Sequence, residues 1–583
     1  MLLFWDLEVF KHTFLGVFVD ALAQKETVIV NDSAKMKEFY ESHKNYIWGG
    51  FNSSSYDAWV LRAILGGYDP YQMSQWIIAK ERKGWEFDRE LARFPLYSYD
   101  VRWSQVAPGL KTLEAFMGDD IRETEVPFDL DRPLTEEEIQ QTIKYCRNDV
   151  NETMKVFCHK KTEFDAHFGL IKMFDLPLAD ISKTNSQLSA KILNCVKTER
   201  NDEWNFKLEE PCKLVKKYKN VVDWFESEES RNPDATYETE VAGVKLQYAQ
   251  GGVHGAKEHY FDKGLILHCD VGSFYPSLMI QWGLLSRNSQ TPEKFKEIYE
   301  TRMALKKAGR KTEQLPYKII LNSVYGSAGY EFNLLFDPQS VHRVCFNGQV
   351  FLTLLLEMLE GIVTPFNVNT DGIFVKVDDE SKLPLYYETC KKWEELTRMS
   401  LSHDKYTACY QANVNNYIMV LENGRLERKG AVVKELDILD NDLKIVNEAV
   451  VQYFVNDVPP EKTIQDCHNM LDFQKVFKLS SKYNLAMQGC TFRTEKSKKV
   501  WNGDGIYLTD RTYRVFANLE PTGAVYKKKD GKNPEKFANC PDNAFIYNES
   551  LQGKTTDEFP NLDKKWYIDL AWYRIKQFKG EIK

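Results

Sequence analysis

The chain has no apolar run approaching the roughly 20 residues a membrane helix needs, so no membrane partner is expected. Its opening, MLLFWDLEVF, lacks the basic segment and long apolar stretch of a signal peptide, and the expected location is cytoplasmic. Eleven cysteines are present, an odd number, with no C-x-x-C pair and no zinc-ligand spacing. A disulfide scaffold is thereby excluded, and reduced thiols are expected. Internal repeats and low-complexity segments are absent. So is an excess of basic charge: the net charge of −8 argues mildly against a nucleic-acid partner. Distribution matters more than the sum, because basic runs occur at 214–219, 304–311, 493–499 and 526–532, several with aromatics beside them. Taken singly, each is explained as well by a solvated face.

At 583 residues the chain is too long for one core, and several domains are expected. LLFWDLEVF reads as a strand, on which alternation puts Asp6 and Glu8 on one face. Two neighbouring carboxylates repel unless a cation lies between them. A second strand, TFLGVFVDAL, follows as in a hairpin, and YIWGGFNSSSYDAWVLRAIL ends a strand in Gly-Gly before Asn52, Tyr56 and Asp57 at a helix start. LTEEEIQQTIKYCRNDVNETMKVF is an amphipathic helix with a Thr135–Glu138 capping box. Tyr145 and Asp149 stand four apart on one side of it.

The order D-x-E, N-x3-Y-D, Y-x3-D resembles the proofreading 3′→5′ exonuclease domain of DNA polymerases. The resemblance implies an RNase H-like fold and two-metal hydrolysis of a phosphodiester. Asp6, Glu8, Asp57 and Asp149 would hold the ions, Tyr145 would orient the attacking water, and Asn52 and Tyr56 would touch the frayed primer strand. Carboxylate oxygens suit Mg²⁺ or Mn²⁺.

A second set begins in HCDVGSFYPSLMI (268–280), where a strand opens into a turn at Asp270. PFNVNTDGIFVKV reads as a hairpin with Asp371 at its tip. Between them lies a helical hairpin. Thr291-Pro292 opens its first arm, which carries Arg302 and Lys306. After the connector AGRKTEQ, the second arm ends at Gly326 and bears Lys318, Asn322 and Tyr325 on one face. So many cations with few acidic neighbours suit an anion such as a triphosphate.

D-x2-S-F-Y-P-S, K-x3-N-S-x-Y-G and T-D-G, in that order, resemble motifs A, B and C of the family B DNA polymerases. YAQGGVHGA (248–256) resembles their Gly-Gly segment near the template, and NNYIMVLENGRLERKG (415–430) the stretch gripping the primer-end duplex. The likeness covers residues 1 to about 450. It implies that Asp270, Asp371 and the carbonyl of Val271 hold two further Mg²⁺ (or Mn²⁺) ions, two per active site. Ser273, Phe274, Arg302, Lys306 and Lys318 would bind the nucleotide phosphates. Tyr275 would exclude a 2′-hydroxyl, and Asn322 and Tyr325 would line the nascent base pair. Tyr248, Gly251, Gly252, Tyr417 and Lys429 would contact DNA. Two departures stand out. Asn369 occupies the first motif C position, where an aspartate is usual, and Asn415-Asn416-Tyr417 lacks the lysine of the primer element.

The expected fold class is α/β and α+β multidomain: an RNase H-like exonuclease domain (1–180), a connecting segment (181–240), and a right-hand polymerase. Its palm would occupy 241–290 and 331–430, its fingers 291–330, and the thumb with a C-terminal extension 431–583. The expected partners are primer-template and single-stranded DNA and dNTPs. Compact size and motif wording resemble bacteriophage replicases. The intervals from Asp270 to Lys318 and from Lys318 to Asp371, 48 and 53 residues, leave no room for the insertions of protein-primed relatives. The alternatives are a DNA-processing nuclease with a degenerate polymerase half, favoured only by Asn369, and a non-catalytic replication factor.

Overall fold

The computed structural model describes residues 1–104, 106–495 and 497–582. Lys496, within the basic run 493–499, lies outside them. Two compact units emerge: residues 1–183 with 436–444 and 467–566, and residues 184–435 with 445–466 and 567–583.

The first unit contains β1 (Leu2–Val9), β2 (Phe14–Asp20), β3 (Lys25–Val30), α1 (Ser33–His43), β4 (Ile47–Gly50), α2 (Asp57–Leu65), α3 (Pro70–Ile78), β5 (Tyr97–Asp100), α4 (Leu110–Met117), α5 (Glu136–His159) and α6 (Lys161–Met173). The sheet order is β3-β2-β1-β4-β5, antiparallel through β1 and parallel from β1 to β5. It is the RNase H-like arrangement the motifs imply. β1 is apolar almost throughout because both its faces are covered. Leu3, Trp5, Leu7 and Val9 enter a core with residues of α1, α2 and α3, whereas Phe4 meets Phe157 of α5 at 5.0 Å. Asp6 and Glu8 alternate with that core set and face α5. The capping box starts α5 as its sequence requires, with Thr135 and Glu138 bonded reciprocally.

The later segments of this unit are β-rich. Strands Lys475–Lys478, Thr512–Ala517 and Ala544–Ile546 form one sheet, and Leu485–Gln488, Ile506–Leu508, Val525–Lys528 and Glu535–Lys536 another. From the first, the fully buried Arg514 donates to the carbonyls of Ala115, Asp119 and Glu549 at 2.6–3.0 Å. It thereby ties this sheet to the C-terminal end of α4.

The second unit opens with α7 (Asn185–Ile192), α8 (Lys219–Glu226), β6 (Thr236–Val241), β7 (Val244–Ala249), β8 (Gly252–Ala256) and β9 (Tyr260–Val271). It continues through α9 (Phe274–Gln281), α10 (Pro292–Lys307), α11 (Leu315–Ala328), α12 (Pro338–Leu359), β10 (Thr364–Asn369), β11 (Gly372–Lys376), α13 (Leu383–Thr397), β12 (Leu401–Asn413), β13 (Asn416–Leu421) and β14 (Leu426–Lys429). Its sheet runs β14-β13-β12-β9-β11-β10-β8-β7-β6. α10 and α11 make the expected helical hairpin, joined by residues 308–314. Two details differ from expectation. α11 passes through Gly326 to Ala328, because Gly326 keeps a helical conformation. Thr291 occupies the N-cap of α10 without capping it: at φ −133° and ψ 62° its hydroxyl does not reach a first-turn amide. Ile575 and Phe578 of the last helix pack with Val450, Val451 and Phe454 against Tyr410 of β12 and Ile418 of β13.

Candidate active sites

In the first unit, Asp6 and Glu8 of β1, Asp57 at the start of α2, and Asp149 of α5 lie close enough to repel one another. Burial raises the pKa of Asp6, and Asp57, Glu8 and Asp149 raise it further. Burial also lifts Glu8, with Asp149 and Asp57 adding to the rise. Asp57 is pushed up to about 7, chiefly by desolvation, although its own amide and that of Leu7 lower it. The Leu7 N–H donates to Asp57 Oδ1 at 3.3 Å. The Cys146 thiol donates to an Asp6 carboxylate oxygen at 3.6 Å. Four buried or half-buried carboxylates that repel one another form a site short of positive charge.

No motif or spacing pointed to the cation that partly offsets them. Lys111 of α4 ion-pairs with Asp149 and, at 3.0 Å, with Glu114, and its Nζ lies 4.4 Å from the Tyr145 ring centroid. Glu114 itself is fully buried and driven up to about 8, first by desolvation. Tyr145 and Asp149 share one side of α5, as their spacing requires. Asn52 sits in the left-handed region at φ 58°. Its N–H donates to Asp100 Oδ1 at 2.8 Å, an acceptor that sequence reasoning also missed. Tyr56 spends its hydroxyl on Ser74 Oγ at 2.8 Å.

Raised carboxyl pKa values make a prediction about the metal-free protein. A group at 3.8 unfolded and about 7 folded holds more protons when native. Its stabilising contribution is therefore full below pH 3.8 and lost as pH rises through about 7. In chelator, the melting temperature of the wild type should fall between pH 5 and 8 more steeply than that of Asp57→Asn. Equal slopes in thermal melts would count against this charge-strained cluster.

In the second unit, β9 and β11 are neighbours with Asp270 opposite Gly372, and the Val271 N–H donates to the Asp371 carbonyl at 2.8 Å. The hairpin tip thus puts Asp371 beside Asp270. Asp270 is raised to about 7 by burial and by Asp371, with Lys306 opposing the rise and Asp404 and Glu427 adding to it. Asp404 carries no motif, and Glu427, although inside the 415–430 stretch, was not singled out.

Arg302 is buried and donates to Ser273 Oγ at 2.6 Å and Gln314 Oε1 at 3.0 Å. Both acceptors are neutral, and desolvation lowers its pKa. Lys306, Lys318 and Asn322 are exposed on the same hairpin. Ser273, at φ 50°, caps α9 in position without a side-chain bond to its amides. Phe274 packs inward, its ring reaching α12 at Gly348. The Tyr275 ring lies 4.4 Å from that of Tyr325, and its hydroxyl donates to the Gly251 carbonyl at 3.1 Å. Gly252, at φ 153°, leaves no space for a Cβ, which would sit 2.8 Å from Thr370 Oγ1. Asn369 Oδ1 hydrogen-bonds with His254 Nδ1 at 3.4 Å, so the residue that departs from motif C binds the Gly-Gly segment.

Two expected DNA contacts are corrected. Tyr248 is fully buried, its hydroxyl bonded to Thr353 Oγ1 at 2.9 Å. Tyr417 is 4% exposed, with its hydroxyl on Glu427 at 3.1 Å. Both rings belong to the core, and neither can meet a strand. Lys429 remains accessible, 5.9 Å from the Tyr417 ring. Of the basic runs, 214–219 is largely ion-paired through Lys217–Glu360 and Lys219–Asp223, whereas Lys527 and Lys529 gather at the Tyr483 ring.

Two carboxylate clusters stand out, one in the unit that holds β1, α2 and α5 and one at the adjoining ends of β9 and β11, close to the cationic helical hairpin through the Arg302–Ser273 bond. No protein-family model matches the chain. Over 519 residues it is 22% identical to a DNA polymerase of Archaeoglobus fulgidus, covering 81% of this chain and 61% of that protein. The chain thus spans about three fifths of that curated relative. The family B DNA polymerase structure from Pyrobaculum calidifontis aligns with all of this chain and 78% of its own, at 13% identity and a TM-score of 0.43. In sequence, then, the chain is similar to an archaeal DNA polymerase. Among the described residues no helix is long and apolar enough to cross a membrane.

Proposed function

We propose that this protein is a template-directed DNA polymerase that extends a primer 3′-hydroxyl with dNTPs and proofreads through a 3′→5′ exonuclease. The observation that carries this reading is the adjacency of Asp270 and Asp371, with Arg302 held by Ser273 beside them. Both clusters fit divalent cations, because their carboxylates are gathered closely enough to raise one another's pKa, Asp57, Glu8 and Asp149 acting on Asp6 and Asp371 acting on Asp270. In the polymerase centre Asp270, Asp371 and the Val271 carbonyl would be the ligands, and in the exonuclease centre Asp6, Glu8, Asp57 and Asp149. Mg²⁺ or Mn²⁺, when bound, lowers the pKa of an attacking oxygen and offsets charge on the leaving one.

The rest falls to the chain itself. Arg302, Lys306 and Lys318 bind the triphosphate, and the uncapped amides at the start of α9 receive phosphate oxygens. Tyr325 and Asn322 line the base pair. In the exonuclease, Lys111 holds Asp149 and Tyr145 orients water. Size and motif wording favour a replicase of the compact bacteriophage kind. Nucleotide incorporation on a primed template with Mg²⁺ is the direct test, and its absence from folded protein would refute the reading.

Tyr275 has its ring fixed from two sides, by Tyr325 and by Gly251, which suits it to close the space beside a deoxyribose C2′. Tyr275→Ala should raise the efficiency of ribonucleotide use relative to deoxyribonucleotides by about 10²–10⁴. Competitive single-nucleotide incorporation checks this. An unchanged ratio would make Tyr275 a core aromatic only.

A further inference from the structure

Cys269, Cys390 and His403 form a third cluster, on the face of the β9–β12 pair away from Asp270. Cys269 lies opposite His403 and Asp270 opposite Ser402, and successive residues of a strand point to opposite faces. Cys269 and His403 therefore share the face to which α13 brings Cys390 and, one turn earlier, Tyr386. One ligand atom from each of Cys269, Cys390 and His403 lies within 4.8 Å of the other two. Cys269 is fully buried and Cys390 2% exposed. The Tyr386 hydroxyl, also buried, hydrogen-bonds with His403 Nδ1 at 3.1 Å.

We propose that these side chains form a binding site for a thiophilic divalent cation, Zn²⁺ by preference, separate from both carboxylate centres. Two thiols and an imidazole are ligand types Zn²⁺ takes, its tetrahedral geometry leaves one position for a water, and the Tyr386 hydroxyl bonded to His403 Nδ1 helps fix the imidazole's orientation. Charge supports the same occupant. Binding releases one proton from each thiol, and two thiolates with a neutral imidazole and Zn²⁺ sum to zero, which a dry interior tolerates. Mg²⁺ demands oxygen ligands and is not expected here. Cys269 directly precedes Asp270, so the bound ion would pin β9 where it delivers that carboxylate. The site is structural, and it does not depend on the polymerase reading.

The test is titration of the metal-free full chain with Co²⁺, which reports thiolate ligation by a charge-transfer band that carboxylate sites do not give. One equivalent should develop the band together with tetrahedral d–d absorption, and Zn²⁺ should abolish both. Cys390→Ser should weaken Co²⁺ binding at least about tenfold and remove the band. Cys158→Ser, which alters an exposed thiol outside the cluster, should leave it intact. Wild-type protein that stays folded in excess Co²⁺ without the band overturns the proposal, whether or not Cys390→Ser folds. So does a band that persists in folded Cys390→Ser or His403→Asn.

Discussion

Asp371→Asn is expected to reduce nucleotide incorporation at least about 10³-fold while leaving degradation of single-stranded DNA within about twofold. The first figure follows from the two sides of the substitution. An amide keeps the size of the side chain at the tip of β10–β11, so the hairpin and the Val271–Asp371 bond survive. It removes the formal charge that would neutralise a divalent cation, and a loss of about 4 kcal/mol of transition-state stabilisation is about 10³ in rate. Degradation persists because its carboxylates belong to the other compact unit. Primer-extension and nuclease assays on one preparation check both halves. Extension that persists would place polymerase chemistry elsewhere. Loss of both activities from folded protein would refute two separate centres. Absence of extension already in the wild type, with degradation intact, would favour the processing nuclease that Asn369 admits.

Asp6→Ala combined with Glu8→Ala should abolish 3′→5′ degradation, again by at least about 10³-fold, with extension retained and terminal mispairs extended instead of removed. Here the electrostatics supply a second readout. Asp6 and Glu8 are raised by burial and by one another's neighbours, so the metal-free native state holds them at a cost. Removing them should raise the melting temperature in chelator at pH 8, where that cost is largest, and have less effect at pH 5. A merely structural role predicts the opposite, a destabilised protein at both pH values. Nuclease assays on a mispaired primer, with paired thermal melts, decide between them.

Much of both centres was legible because local periodicity fixes it. Asp6 and Glu8 share a face because a strand alternates, and Tyr145 and Asp149 because a helix repeats in under four residues. NTDG between two apolar runs could only be a hairpin, which put Asp371 at a tip. Lys111, Asp404 and Glu427 were invisible, since no spacing links them to the residues they act on. Tyr248 was misassigned although its own strand held the clue: Val244, Leu246 and Tyr248 alternate as a buried set. Tyr417 offered no such clue, because its neighbours Ile418 and Met419 are buried too, and a strand covered on both faces has no period to read.

By itself the sequence determined the strands, helices and turns that carry the motif carboxylates, because hydrophobic period, capping and turn chemistry act over a few residues. Only the tertiary structure decided how charge is compensated and which distant side chains meet. Lys111 reaches Asp149 across 38 positions. Arg514 is joined to α4 across 399. Cysteines with no ligand spacing converge with His403 because β9, β12 and α13 are brought together by packing. Such contacts depend on the burial of apolar faces from every part of the chain at once, and a pattern within one segment holds no record of the segment that will cover it.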